Sequence, residues 1–149
     1  MALIYTIVCC IVAIIIAGIS ASNKKDKEWF ENLNHSDNSF MLKIMNKYGI
    51  IFFLMFGFVL YHLIISHDIV SIVIMITIIQ LMGLSPLLIY KTKNLKLSFI
   101  VMLIIPILVS VLIFLLLQEK SLLVIPIILF LLWSVYDFSY YYRLMKLNK

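Results

Sequence analysis

The residues best suited to chemistry are few, and most sit near the end of the chain. Trp133, Asp137 and Tyr140 recur at helical spacing and share one helix face, with Tyr136 beside them. Asp137 is the one carboxylate inside a long apolar stretch. An ionised Asp deep in a bilayer costs on the order of 2.5–3.5 kcal/mol on insertion scales, so this side chain has to face protein or a wet cavity. Two readings stay open. Either these residues form an aromatic belt at a membrane surface, with Asp137 reaching headgroups or Arg143, or they line a ligand site. Upstream, Thr77 and Gln80 share a face, followed by Leu84 and Leu87. A mid-span Gln serves more often as glue between helices than as a ligand contact.

Other chemistry is thin. His62 and His67 would lie about 140° apart on a continued helix, which is no two-histidine metal face, and His35 is far away in sequence. The neighbouring side chains of Cys9 and Cys10 diverge by about 100°, so a disulfide between them is strained and two buried apolar thiols are expected. No Ser–His–Asp, Cys–His or zinc spacing is present, and no Gly-rich phosphate loop. Spacing alone therefore argues for no enzyme and requires no cofactor. Val135, Tyr140 and Arg143 meet a loose sterol-contact pattern, one that any Tyr-rich basic helix end meets by chance.

The elements that carry these residues are five apolar stretches, at about 2–20, 48–65, 69–90, 97–117 and 121–142. A hydrocarbon core about 30 Å thick needs roughly 20 apolar residues of helix. Lipid offers no partners to backbone N–H and C=O groups, so such stretches cross as helices. A hydrophobic share of 64% and a mean hydropathy of +1.14 agree. The expected fold is an all-α integral membrane protein, a single five-helix domain with an inner loop at 21–47. The first stretch is expected to be a permanent helix, since it lacks a basic leader and positive charge follows it.

The net charge of +5 is distributed unevenly. Lys24, Lys25, Lys27, Lys43 and Lys47 lie between the first two spans, Lys91, Lys93 and Lys96 between the third and fourth, and Arg143, Lys146 and Lys149 after the fifth. Only Lys120 falls in the opposite loops. Positive loops stay inside, which implies N-terminus out and C-terminus in. The charge reads as topology, with a secondary role toward anionic lipid, and no basic face with interleaved aromatics suits nucleic acid. The outer loops at 66–68 and 118–120 are so short that spans two and three, and four and five, are expected to form antiparallel hairpins. Ala13, Ala17 and Ala21, with Gly18 alongside, form a small-residue stripe suited to close helix approach, against another span or another subunit. Pro86, Pro106 and Pro126 are expected to bend spans three, four and five.

The layout resembles the TspO/MBR family, the tryptophan-rich sensory or translocator proteins, across essentially the whole chain. Trp29-Phe30-Glu31-Asn32-Leu33 stands where that family carries Trp-Tyr-x-x-Leu, and Gly57 and Tyr61 fall where its second helix often has Gly and Tyr. Gln80-Leu81 and Leu84-Ser85-Pro86-Leu87-Leu88-Ile89 resemble its Gln-Leu pair and its Trp-x-Pro-x-Phe-Phe stretch. Trp133, Tyr136, Tyr142, Leu144, Lys146 and Asn148 follow the order of its final helix. Leu84 replaces a Trp, Tyr141 replaces an Asn, and the family's prolines are missing between His35 and Lys47.

The resemblance implies a five-helix bundle, commonly a homodimer, with a cavity opening toward the longer loop. It implies binding of a porphyrin (tetrapyrrole) or sterol-like molecule, with Trp29 and Leu33 near a lid, Gln80, Leu84 and Pro86 on span three, and Trp133, Tyr136 and Asp137 on span five. Tyr140 joins them through the shared helix face. The expected function is a receptor or carrier for a hydrophobic small molecule. The alternatives are a small accessory or immunity protein that contacts a partner through its helices, and porphyrin breakdown assisted by Trp133 and nearby tyrosines. The Ile-, Lys- and Asn-rich usage suggests a bacterial plasma membrane.

Overall fold

The computed structural model describes residues 1–21, 24–35 and 39–148, and within them all side chains except those of 20, 21 and 39–48. Ala21, Lys43, Lys47 and Lys149 therefore lie outside the described side chains. The chain forms α1 (Ala2–Ala21), α2 (Lys24–Glu31), α3 (Ser39–Ser66), α4 (Ile69–Thr92), α5 (Leu95–Gln118) and α6 (Val124–Leu147). Five of these are long and apolar enough to span a membrane, over Ala2–Ile19, Gly49–Ser66, Ile69–Thr92, Leu95–Gln118 and Val124–Leu147. The protein is an all-α, five-transmembrane-helix bundle. Its lipid-facing shell is aliphatic, as the exposed Ile7, Leu54, Ile107 and Leu132 illustrate.

Three details differ from the sequence expectation. Part of the expected loop at 21–47 is helix, because α2 occupies its first portion and α3 begins at Ser39 rather than at residue 48. The last helix continues to Leu147, beyond the apolar stretch. Pro126 does not interrupt its span: α6 begins at Val124, so the proline sits in the first turn, where no backbone N–H has a helical partner. Pro86 does lie inside α4 and Pro106 inside α5. Pro86 has no N–H for the Met82 carbonyl, and the Ser85 hydroxyl donates to that oxygen instead at 3.0 Å.

Side-chain caps fix where two spans begin. Asp68 accepts from the Ser71 N–H at 3.2 Å before α4. Asn94 accepts from the N–H groups of Lys96 and Leu97 at 3.1 Å before α5. Among the described residues His67, Lys93 and Lys120 turn the chain with positive φ.

α4 is the hub, touching α1, α3, α5 and α2, while α6 packs along α5. The small stripe of α1 explains the tightest of these contacts. Ala13 is fully buried, and a Cβ added to Gly83 would lie 2.7 Å from the Ala13 carbonyl oxygen, so the two backbones meet directly. One turn away Gln80 Nε2 donates to the Cys9 carbonyl at 3.3 Å, and Cys10 Sγ donates to the Phe53 carbonyl at 3.6 Å. Gly57 admits α1 closely as well, since its added Cβ would touch Cys10 Sγ at 3.4 Å. The space around these contacts is filled by wholly buried side chains such as Phe56, Leu63, Ile79, Leu112 and Ile127.

Candidate ligand cavity

Beyond those contacts, toward the α2 end, the helices separate. They enclose a cavity of about 380 Å³, within the usual range for small-molecule sites. Every spanning helix contributes: Ile14, Ala17 and Gly18 from α1, Phe52 and Phe53 from α3, Met82, Ser85, Pro86, Ile89 and Tyr90 from α4, Met102 and Ile105 from α5, and Phe130, Trp133, Ser134, Asp137 and Tyr141 from α6. The separation has a residue-level cause. α3 and α6 meet through rings rather than backbones: Phe52 lies 5.5 Å from both Phe130 and Trp133, and Phe56 meets Phe130 edge-on at 4.5 Å. Gly18 of α1 and Gly49 of α3 border the same open space, since added Cβ atoms there would touch nothing within 4 Å.

A lid covers the α2 end. Asp26 and Phe30, four residues apart on α2, both turn inward. The Phe30 ring lines the cavity and meets Tyr90 and His35 edge-on at 5.5 and 5.2 Å. His35 latches this piece. Its Nε2 faces the Phe30 carbonyl at 2.8 Å and its Nδ1 faces the Tyr140 hydroxyl at 2.6 Å. A carbonyl only accepts, so Nε2 donates, and in the neutral ring Nδ1 accepts from Tyr140. Asn148 clamps the same loop by accepting from the Asn34 N–H at 2.9 Å and donating to the Asn34 carbonyl at 3.0 Å. Asp26 pairs with Lys93 at 3.5 Å and Lys91 at 3.9 Å, and Lys93 lies over the Trp29 ring. Hydrogen bonds and an ion pair do here what prolines would do in a stiffer loop.

The nine residues singled out from sequence separate into groups. Pro86, Trp133 and Asp137 line the cavity. Trp29, on α2 itself, and Leu33 just after it pack against the core without lining the cavity. Gln80 ties α4 to α1, Leu84 is half-buried elsewhere, and neither lines the space. Tyr136 packs its ring 6.2 Å from Trp133, and Tyr140 belongs to the latch. That latch buries Tyr140 while Val135 is exposed, so the sterol-contact pattern does not make one lipid-facing surface.

Sequence reasoning missed Phe30, His35, Phe52, Phe130 and Tyr141. The spacing of Asp26 and Phe30 was a readable signal for the first, since it marks the inward face of a short helix.

Asp137 is 8% exposed, and its Oδ1 has no hydrogen-bond partner among the described residues. It neither reaches the surface nor pairs with Arg143, which is exposed and sits about 240° further round the helix. The cavity's two serine hydroxyls are already committed, Ser85 to the Met82 carbonyl and Ser134 to the Leu131 carbonyl. No His or Cys lines the cavity, and no cluster of metal-ligating side chains occurs among the described residues. No protein-family model, characterised protein or solved structure matches the chain.

Proposed function

We propose that the protein is a membrane receptor or carrier that binds a flat hydrophobic molecule of the tetrapyrrole class inside the bundle. The observation that carries this reading is the aromatic-walled cavity shared by all five spans and closed by a tied lid. Phe52, Phe130 and Trp133 offer ring faces on which a planar ligand stacks. Lys91 and Lys93 at the same end suit carboxylates that protrude from the mouth, once released from Asp26. The likeness of the final helix to the TspO/MBR pattern points the same way, and the lysine asymmetry supports a lid on the inner side of the membrane.

Binding is favoured over catalysis because the described walls hold no nucleophile paired with a base. A partner-docking role built on the Ala13 and Ala17 stripe is less favoured, since that stripe meets α4 and the cavity.

The test is a protoporphyrin titration of detergent-purified protein followed by Trp emission, with a Trp-free protein correcting for inner-filter loss. Saturable quenching in the micromolar range, roughly tenfold weaker in Trp133→Ala, is the expected outcome. Quenching no stronger than the control overturns the proposal.

A further inference from the structure

We infer that the cavity selects a ligand bearing a protonated amine, which the Asp137 carboxylate holds among aromatic faces. The inference rests on the cavity reading above and adds the chemical class of ligand. Asp137 is more than nine-tenths buried, lines the cavity, and leaves Oδ1 without a donor. A carboxylate so placed costs several kcal/mol unless a donor or a counter-charge meets it. The walls place no cation beside it and make no hydrogen bond to Oδ1. No Lys, Arg or His lines the cavity among the described residues, Ser85 and Ser134 give their protons to backbone carbonyls, and the Tyr90 and Tyr141 hydroxyls, which also line it, leave Oδ1 without a bond.

The surrounding rings complete the recognition. Trp133 precedes Asp137 by one helical turn, and Phe52 packs against Trp133 at 5.5 Å. Aromatic faces attract cations through their quadrupole and repel anions, most strongly in a dry site. A carboxylate beside such faces favours an ammonium and disfavours an acid. A tetrapyrrole meets this rule when it carries an amine substituent toward Asp137, with any carboxylates held outside near Lys91 and Lys93.

The experiment compares pyrenylbutylamine, butylpyrene and pyrenebutyrate, read by energy transfer from Trp to pyrene in purified full-length protein. Partition into detergent is the same for wild type and variant, so the amine-to-alkyl affinity ratio is the readout. The amine is expected to bind roughly tenfold tighter than butylpyrene, with pyrenebutyrate weakest. In Asp137→Asn that advantage disappears while butylpyrene affinity is unchanged; Asp137→Ala serves if the first variant elutes as misfolded protein. Saturable butylpyrene binding with no amine advantage in wild type, or an advantage that survives both substitutions, overturns the inference and leaves the cavity reading standing. Failure of all three probes to saturate overturns both.

Discussion

Near mid-span α1 and α4 touch backbone to backbone at Ala13 and Gly83, and on the side away from α2 buried side chains fill the space between the helices. In the half nearer α2 a cavity opens, with Phe52, Phe130 and Trp133 between α3 and α6 and with Phe30 as a stopper. Apolar burial does not distinguish the halves, because lipid is as apolar as the core. Side-chain size does. Small residues let membrane helices close, whereas rings at facing positions keep them open. The cavity lies where rings face one another between α3 and α6, beyond the small-residue contact of α1 with α4.

Variants break or sharpen that contrast to different degrees. Gly83→Leu forces α1 away from α4 and should cost about 3 kcal/mol, the upper part of the overpacking range. It should appear as early loss of monodisperse protein on heating in detergent; unchanged melting would mean that the halves are not distinguished by close approach. His35→Ala removes two lid hydrogen bonds and should cost about 2 kcal/mol locally. Faster hydrogen exchange in α2 and faster porphyrin release are expected, with little change in melting of the other half.

Lys120→Gly acts at the closed half, where the turn after α5 holds a lysine at φ 52°. Relief of that left-handed conformation should stabilise by up to about 1 kcal/mol without altering ligand affinity. Asp26→Asn should have the smallest effect, about 0.5 kcal/mol or less, because both lysine partners are half exposed. High salt should mimic it in a ligand-release assay.

The spans were legible because a bilayer imposes their length and apolarity on the sequence. Their ends were less so. α3 starts at Ser39 because residues that leave the apolar zone can still continue a helix, and hydropathy does not register this. The stripe at Ala13 announced a close contact, but its partner Gly83 is fixed only by the tertiary register of α1 against α4.

Within the site, Trp133 and Asp137 stood out as rare types on one face, and both line the cavity. Gln80 was equally conspicuous and serves the helix contact, the role that lipid-buried amides commonly take. Phe30 was overshadowed by its neighbour Trp29. Which of two adjacent rings faces inward depends on the rotation of α2, and its inward face meets Tyr90, Lys91 and Lys93, residues far along the chain.

The most direct measurement of the central claim is thiol protection at Ser134→Cys, with Cys9 and Cys10 replaced by Ala. The new thiol lies on the cavity wall, whereas Ile78→Cys places one in the closed half. A small membrane-permeant maleimide should label Ser134→Cys and leave Ile78→Cys untouched, and saturating protoporphyrin should block the labelling. Labelling of Ser134→Cys that protoporphyrin leaves unchanged, or equal labelling at the two positions, would contradict a ligand cavity confined to the α2 half.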